Sequence, residues 1–151
     1  MRHKRIAPSA RERSRLTLEA LESRCLLSGS VTAAFVGSTA VIVGDADANR
    51  VDIQQIDPQT IRLTGLEGTT VNGSSNTQNI VLPGTTGIQS IRILMGDGDD
   101  QITLTGVNVP RDLFIDMGPG KNVVPVSDND KVTLNTLTAV SRATILLQGG
   151  N

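Results

Sequence analysis

The stretch Ile93-Leu94-Met95-Gly96-Asp97-Gly98-Asp99-Asp100 decides how this 151-residue chain is read. An apolar run with strand alternation ends in a cluster of glycine and aspartate. The combination recurs as Phe114-Ile115-Asp116-Met117-Gly118-Pro119-Gly120-Lys121-Asn122, and a partial third copy, Ile145-Leu146-Leu147-Gln148-Gly149-Gly150-Asn151, closes the sequence. The interval from Gly118 to Gly149 is longer than that from Gly96 to Gly118, so the second spacing carries an insertion. A strand-and-corner unit of about 22 residues, the first interval, matches one coil of a parallel β-solenoid, where each coil buries its inward side chains only against the next. Ile93, Ile102 and Ile115 are expected to face that shared interior. The copy that stops at Asn151 points to a truncated or unusually short member of a longer architecture, with an open edge prone to pairing.

Outward from this stretch the pattern persists. Strands are expected at residues 31–36, 40–43, 51–56, 60–64, 79–82, 90–95, 101–105, 113–117, 131–138 and 144–148. Ile61 and Leu63 alternate with Arg62 and Thr64 as Ile91 and Ile93 do with Arg92 and Leu94. Gly44-Asp45, Asp57-Pro58, Asn72-Gly73, Pro83-Gly84 and Gly118-Pro119-Gly120 punctuate them. Composition agrees: 16 Thr, 14 Val and 12 Ile make a β-branched chain, with 15 Gly for tight turns. The expectation is an all-β fold, hairpins first, passing into two to three solenoid coils across residues 31–151.

Composition also excludes. No apolar run approaches the roughly 18 residues of a membrane-spanning helix. Cys25 is alone, so there is no disulfide framework, and the only histidine, His3, leaves histidine-based chemistry almost no basis. Charge is divided. Residues 1–24 carry seven bases and three acids, while residues 25–151 carry seven bases and twelve acids. That asymmetry marks a tail of separate purpose. The basic run is short, lacks aromatics and precedes an acidic body, so nucleic acid is not an expected partner. Residues 1–15 read as a disordered tail. Residues 16–28 read as a short one-sided helix, because Leu18, Leu21 and Cys25 fall on one face and Ser28-Gly29-Ser30 ends it. Glu19, Glu22 and Arg24 break any continuous apolar segment of the kind a secretory signal requires.

The residues Leu18-Glu19-Ala20-Leu21-Glu22-Ser23-Arg24-Cys25-Leu26-Leu27-Ser28 resemble the LEPR-XLL segment at the N-terminus of large bacterial surface or secreted repeat proteins, with Ser23 where that pattern has proline. The resemblance implies a sorting or export segment, and a secreted or cell-surface location. Basic residues ahead of the apolar stripe suit an anionic membrane surface.

Gly96-Asp97-Gly98-Asp99-Asp100-Gln101-Ile102-Thr103 is similar to the haemolysin-type (RTX) calcium-binding nonapeptide, although Met95 replaces its leading glycine. Gly118–Asn122 is a shortened relative with Asn122 in the aspartate position, and Gly44-Asp45-Ala46-Asp47-Ala48-Asn49 a looser one. The chemistry has a rationale. Glycines let a turn aim carbonyl oxygens inward, and an aspartate adds charge for a hard cation that takes six to eight oxygens. Gly96, Asp97, Gly98, Asp99, Asp100 and Asn122 are the candidate calcium ligands, with weak affinity expected because Lys121 sits beside Asn122. The competing reading of these residues is a tight turn without metal.

Two other functions compete. A metal-free adhesive or matrix solenoid, meeting cell-surface components through Thr- and Asn-rich faces, needs no site chemistry. A polysaccharide-active β-helix enzyme would use Asp112, Asp116, Asp128 and Asp130 with Arg111, Lys121 and Lys131. Those acids sit in contexts where aspartate bonds its own backbone, and no histidine serves a nucleophile. The expectation is therefore a non-enzymatic surface or secreted repeat protein with weak calcium binding in its Gly/Asp turns.

Overall fold

Period-two alternation aims every second side chain at one face, and here those faces meet in a single core. The computed structural model describes residues 29–119, 129–138 and 140–147. Among them lie eleven strands and no helix: β1 (Ser30–Val36), β2 (Thr39–Val43), β3 (Arg50–Asp57), β4 (Thr60–Gly65), β5 (Thr70–Val71), β6 (Gln78–Val81), β7 (Ser90–Leu94), β8 (Gln101–Asn108), β9 (Asp112–Asp116), β10 (Lys131–Thr138) and β11 (Arg142–Leu146). The protein is all-β. The tail at 1–15 and the helix at 16–28 lie outside the described residues.

The strands form two mixed sheets, ordered β11-β9-β7-β2-β1-β5 and β10-β8-β3-β4-β6, and neither closes into a barrel. From β7 onward the chain alternates between them, and from β9 each strand lies parallel to the one two elements earlier. The registers between β2 and β7 and between β3 and β8 are also parallel, with Thr39 opposite Ser90 and Arg50 opposite Gln101. Antiparallel hairpins occupy the other end: β1 with β2, β3 with β4, β4 with β6. The β3–β4 turn is tied by Asp57, whose Oδ1 accepts the Gln59 N–H at 2.7 Å. That bond, helped by Thr60, holds the Asp57 carboxyl below its ordinary pKa.

Parallel stacking aligns like with like. Ile42, Ile93 and Ile115 lie in register on one sheet and are fully buried, and Ile53 faces Leu104 on the other, each 1% exposed. Ile102 is buried too. The interval from Gly96 to Gly118 in the sequence is the register between β7 and β9, where Ile93 faces Ile115. Between β8 and β10 the register is longer, since Gln101 faces Lys131. The extra residues therefore fall between β9 and β10.

Two features escape the sequence pattern. β5 is a two-residue strand parallel to β1, too short for periodicity to register. Asn72 extends its pairing by side chain: Oδ1 accepts the Ala33 N–H at 2.8 Å and Nδ2 donates to the Ala33 carbonyl at 3.1 Å. β8 runs on to Asn108 through Gly106 rather than ending near Thr105.

Candidate functional site: the stacked glycine–aspartate turns

Because β2, β7 and β9 lie side by side, as do β3, β8 and β10, the turns joining them come to lie on one another. Residues 44–49 link β2 to β3, residues 95–100 link β7 to β8, and the turn beginning at Met117 links β9 to β10. The approach is close. Gly96, at φ 93°, lies against the Asp45 carbonyl, and Gly118, at φ 86°, against the Gly96 carbonyl; a methyl group at either position would overlap that oxygen. Glycine at positions 96 and 118 is thus required twice over, by backbone angle and by space.

The residue before each second-sheet strand forms a second column. Register places Asn49, Asp100 and Asp130 in line, just ahead of Arg50, Gln101 and Lys131. Asp100 Oδ1 accepts the Asn49 N–H at 2.7 Å, and Asp130 Oδ1 accepts the Asp100 N–H at 2.9 Å. The main chain runs the other way along the column, the Gln101 N–H donating to the Asn49 carbonyl and the Lys131 N–H to the Asp100 carbonyl, each at 2.8 Å. Asn49 and Asp100 are wholly buried. Asp100 and Asp130 each therefore satisfy an N–H of the column member before them, which left unmade would cost about 1–3 kcal/mol. Around Asn49, Nδ2 donates to the Asp47 carbonyl at 2.7 Å, and Asp45 Oδ2 accepts the Ser30 N–H at 2.8 Å.

The expected calcium ligands are thus brought to one edge but not to one point. Asp100 turns inward and commits Oδ1 to Asn49. Asp99 Oδ1 accepts the Asn129 N–H at 3.3 Å, and Asp97 lies partly exposed on the turn. Gly96 and Gly98 bring backbone against the carbonyls of Asp45 and Asp47. Among the described residues, no three His, Cys, Asp or Glu side chains group as they would around a metal ion. Asn122 lies outside the described residues. The position in line with Asp100 is held by Asp130, further along the chain, because the connection between β9 and β10 is longer than that between β7 and β8.

The acids of the enzyme reading are dispersed. Asp112 opens β9 and pairs with Arg142, Oδ1 to Nε 2.9 Å. Asp116 closes the same strand, roughly 13 Å away at strand rise, and accepts the Gly118 N–H. Asp130 belongs to the buried column, and Asp128 and Lys121 lie outside the described residues. No helix among the described residues is long and apolar enough to cross a membrane. Comparison with protein-family models, with curated proteins and with solved structures finds no match to this chain.

Proposed function

We propose that this chain is a non-enzymatic structural repeat module of a bacterial surface or secreted protein, built as a short parallel β-solenoid whose corners are tied by side chains. One observation carries the reading: strands alternate between two sheets and stack in parallel register, so that Asn49, Asp100 and Asp130 fall in one hydrogen-bonded column. Such a column serves cohesion between coils. Its carboxylates are directed at backbone N–H groups, which supports the metal-free form of the module. The similarity of residues 18–28 to the LEPR-XLL segment supports the location.

Weak calcium binding at the turn edge is the second reading. The carbonyls of Asp45 and Asp47, beneath Gly96 and Gly98, with Asp97 and Asp99 on the same turn, favour it. Calcium takes most of its ligands from such oxygens, and in extracellular modules with millimolar affinity. Thermal melts of the full chain in chelator, in millimolar calcium and in equimolar magnesium test both. Coincident melts support the metal-free module. A rise in Tm with calcium alone supports the second reading, because magnesium gives up its water reluctantly. Loss of cooperative β-sheet melting under all three conditions would overturn the solenoid itself.

A further inference from the structure

The turn that follows β5 is made by Asn72 and Gly73, both left-handed, at φ 50° and φ 75°. Val71 and Ser74 flank them and exchange backbone bonds, the Val71 N–H donating to the Ser74 carbonyl at 2.8 Å and the Ser74 N–H to the Val71 carbonyl at 2.9 Å. Asparagine followed by glycine favours this two-residue turn. The Asn72 backbone N–H donates to the Val31 carbonyl at 2.8 Å, while its carboxamide bonds both the N–H and the carbonyl of Ala33. One side chain thus stands in for a rung of the β1–β5 pairing, whose own register is Ser30 with Thr70 and Val31 with Val71. β5 is the last strand in the order of its sheet.

This pair of residues is also reactive. The backbone nitrogen that follows an asparagine can attack its Cγ, and glycine presents that nitrogen with no Cβ in the way. Asn72-Gly73 is the one Asn-Gly step in the sequence. Asn72 is exposed, a methyl group on Gly73 would meet no heavy atom within 4 Å, and the Gly73 N–H makes no hydrogen bond among the described residues. Nucleophile and water are therefore both at hand. The two bonds to Ala33 are the restraint. Attack makes Cγ tetrahedral and removes Nδ2, so the planar match of the carboxamide to Ala33 does not survive it. Freeing that carboxamide moves no buried group, whereas the neighbouring Val71 is fully buried and anchors β5.

We propose that Asn72 is a site of spontaneous deamidation, gated by its two bonds to Ala33, and that conversion loosens β5 from β1. The Gly73 nitrogen bonds to Cγ and the Cγ–Nδ2 bond breaks, the proton of that nitrogen leaving with Nδ2 as ammonia. Water then opens the cyclic imide at either carbonyl, giving aspartate or isoaspartate. Aspartate sets a carboxylate oxygen against the Ala33 carbonyl where Nδ2 donated, so that two acceptors face each other. Isoaspartate adds a methylene to the main chain and breaks the reciprocal Val71–Ser74 pair. The site goes beyond the surface-module reading and depends on neither that reading nor calcium.

Peptide mapping by mass spectrometry, with isoaspartate detection, tests this on the full chain held in mildly alkaline buffer with and without unfolding urea. In urea, Asn72 is expected to convert ahead of Asn76 and Asn79, which precede larger residues. The folded chain is expected to convert about thirtyfold more slowly, the factor that two net hydrogen bonds represent. Val71→Ala removes the anchor of β5 and should speed conversion of the folded chain about fivefold, whereas Val81→Ala on β6 leaves it unchanged. Hydrogen exchange of the converted wild-type chain supplies a readout that needs no variant: the Ala33, Val71 and Ser74 amides are expected to exchange about tenfold faster, and those of β9 as before. Folded-state conversion as fast as in urea, or indifferent to Val71→Ala in a chain that keeps its circular dichroism, overturns the gate. Unchanged exchange after conversion overturns the loosening of β5.

Discussion

The same side chain at the same rung has two fates in this molecule. Ile93 lies between Ile42 and Ile115 and is fully buried, whereas Ile145, in register with Ile115 one strand further out, is 38% exposed. On the other sheet Leu104 is 1% exposed and its partner Leu134 is 37% exposed. Residue type, strand and pairing match in each case. What differs is whether a further strand lies alongside among the described residues. Burial between stacked strands is conferred by the neighbour, so the inner strands are buried through their position, whereas β10 and β11 are paired from one side only among the described residues. At the opposite end β1, β4 and β6 pair antiparallel beyond β2 and β3, a cover that the end bearing Leu134, Ile145 and Leu146 lacks among the described residues.

The sharpest way to break this comparison is a matched truncation. Ile93→Ala is expected to cost roughly 3–4 kcal/mol by urea denaturation, from lost burial and an unfilled cavity. Ile145→Ala is expected to cost about 1 kcal/mol or less. Equal losses would mean that β11 is covered in solution. Next in size is Gly118→Ala, at about 3 kcal/mol, because the new methyl meets the Gly96 carbonyl and the backbone angle is left-handed. A neutral result there would show the turns are not in contact.

Asp100→Ala should lose about 2–3 kcal/mol by leaving the buried Asn49 N–H unsatisfied, and Asp100→Asn should recover most of it by restoring an acceptor oxygen. Asp130→Ala, at the half-buried end of the column, should lose less. A change of the opposite sign is expected at Thr136, which holds φ 57° on β10 in line with Gly106, at φ 66°, on β8. Thr136→Gly relieves that strain and should raise stability by about 1 kcal/mol, read from the urea midpoint.

The smallest effect is acid-dependent. Asp57 has a lowered folded-state pKa, so its stabilising contribution is full above the ordinary carboxylate range and is lost as pH falls through the lowered value. Asp57→Asn should therefore lower the urea midpoint slightly near pH 6 and not near pH 3. A constant difference at both values would assign the effect to something other than ionisation.

Much of the fold was legible because it is local. Alternation in Ile91–Met95 and Ile61–Leu63 and the glycine corners mark strands and turns without reference to anything distant. β5 was not legible, since two residues carry no period and half its pairing is the Asn72 side chain. The candidate site was legible in part. Gly96–Asp100 read as a turn from sequence, but the reversal of Asp100 toward Asn49 depends on a turn 51 residues earlier. Asp130 was missed as its counterpart because a repeat counted along the chain places Asn122 there, and only strand register reveals the longer turn.

By itself, the sequence determined the elements: β-branched alternation makes strands and glycine with aspartate makes corners, both through interactions within a few residues. Only the tertiary structure decided which strands lie side by side, which aspartate serves which N–H, and that Arg92 of β7 lies over the Phe114 ring of β9. The reason is physical. Local conformation is set by the preferences of each residue's own backbone, whereas pairing and burial are set by what another part of the chain brings to the same place.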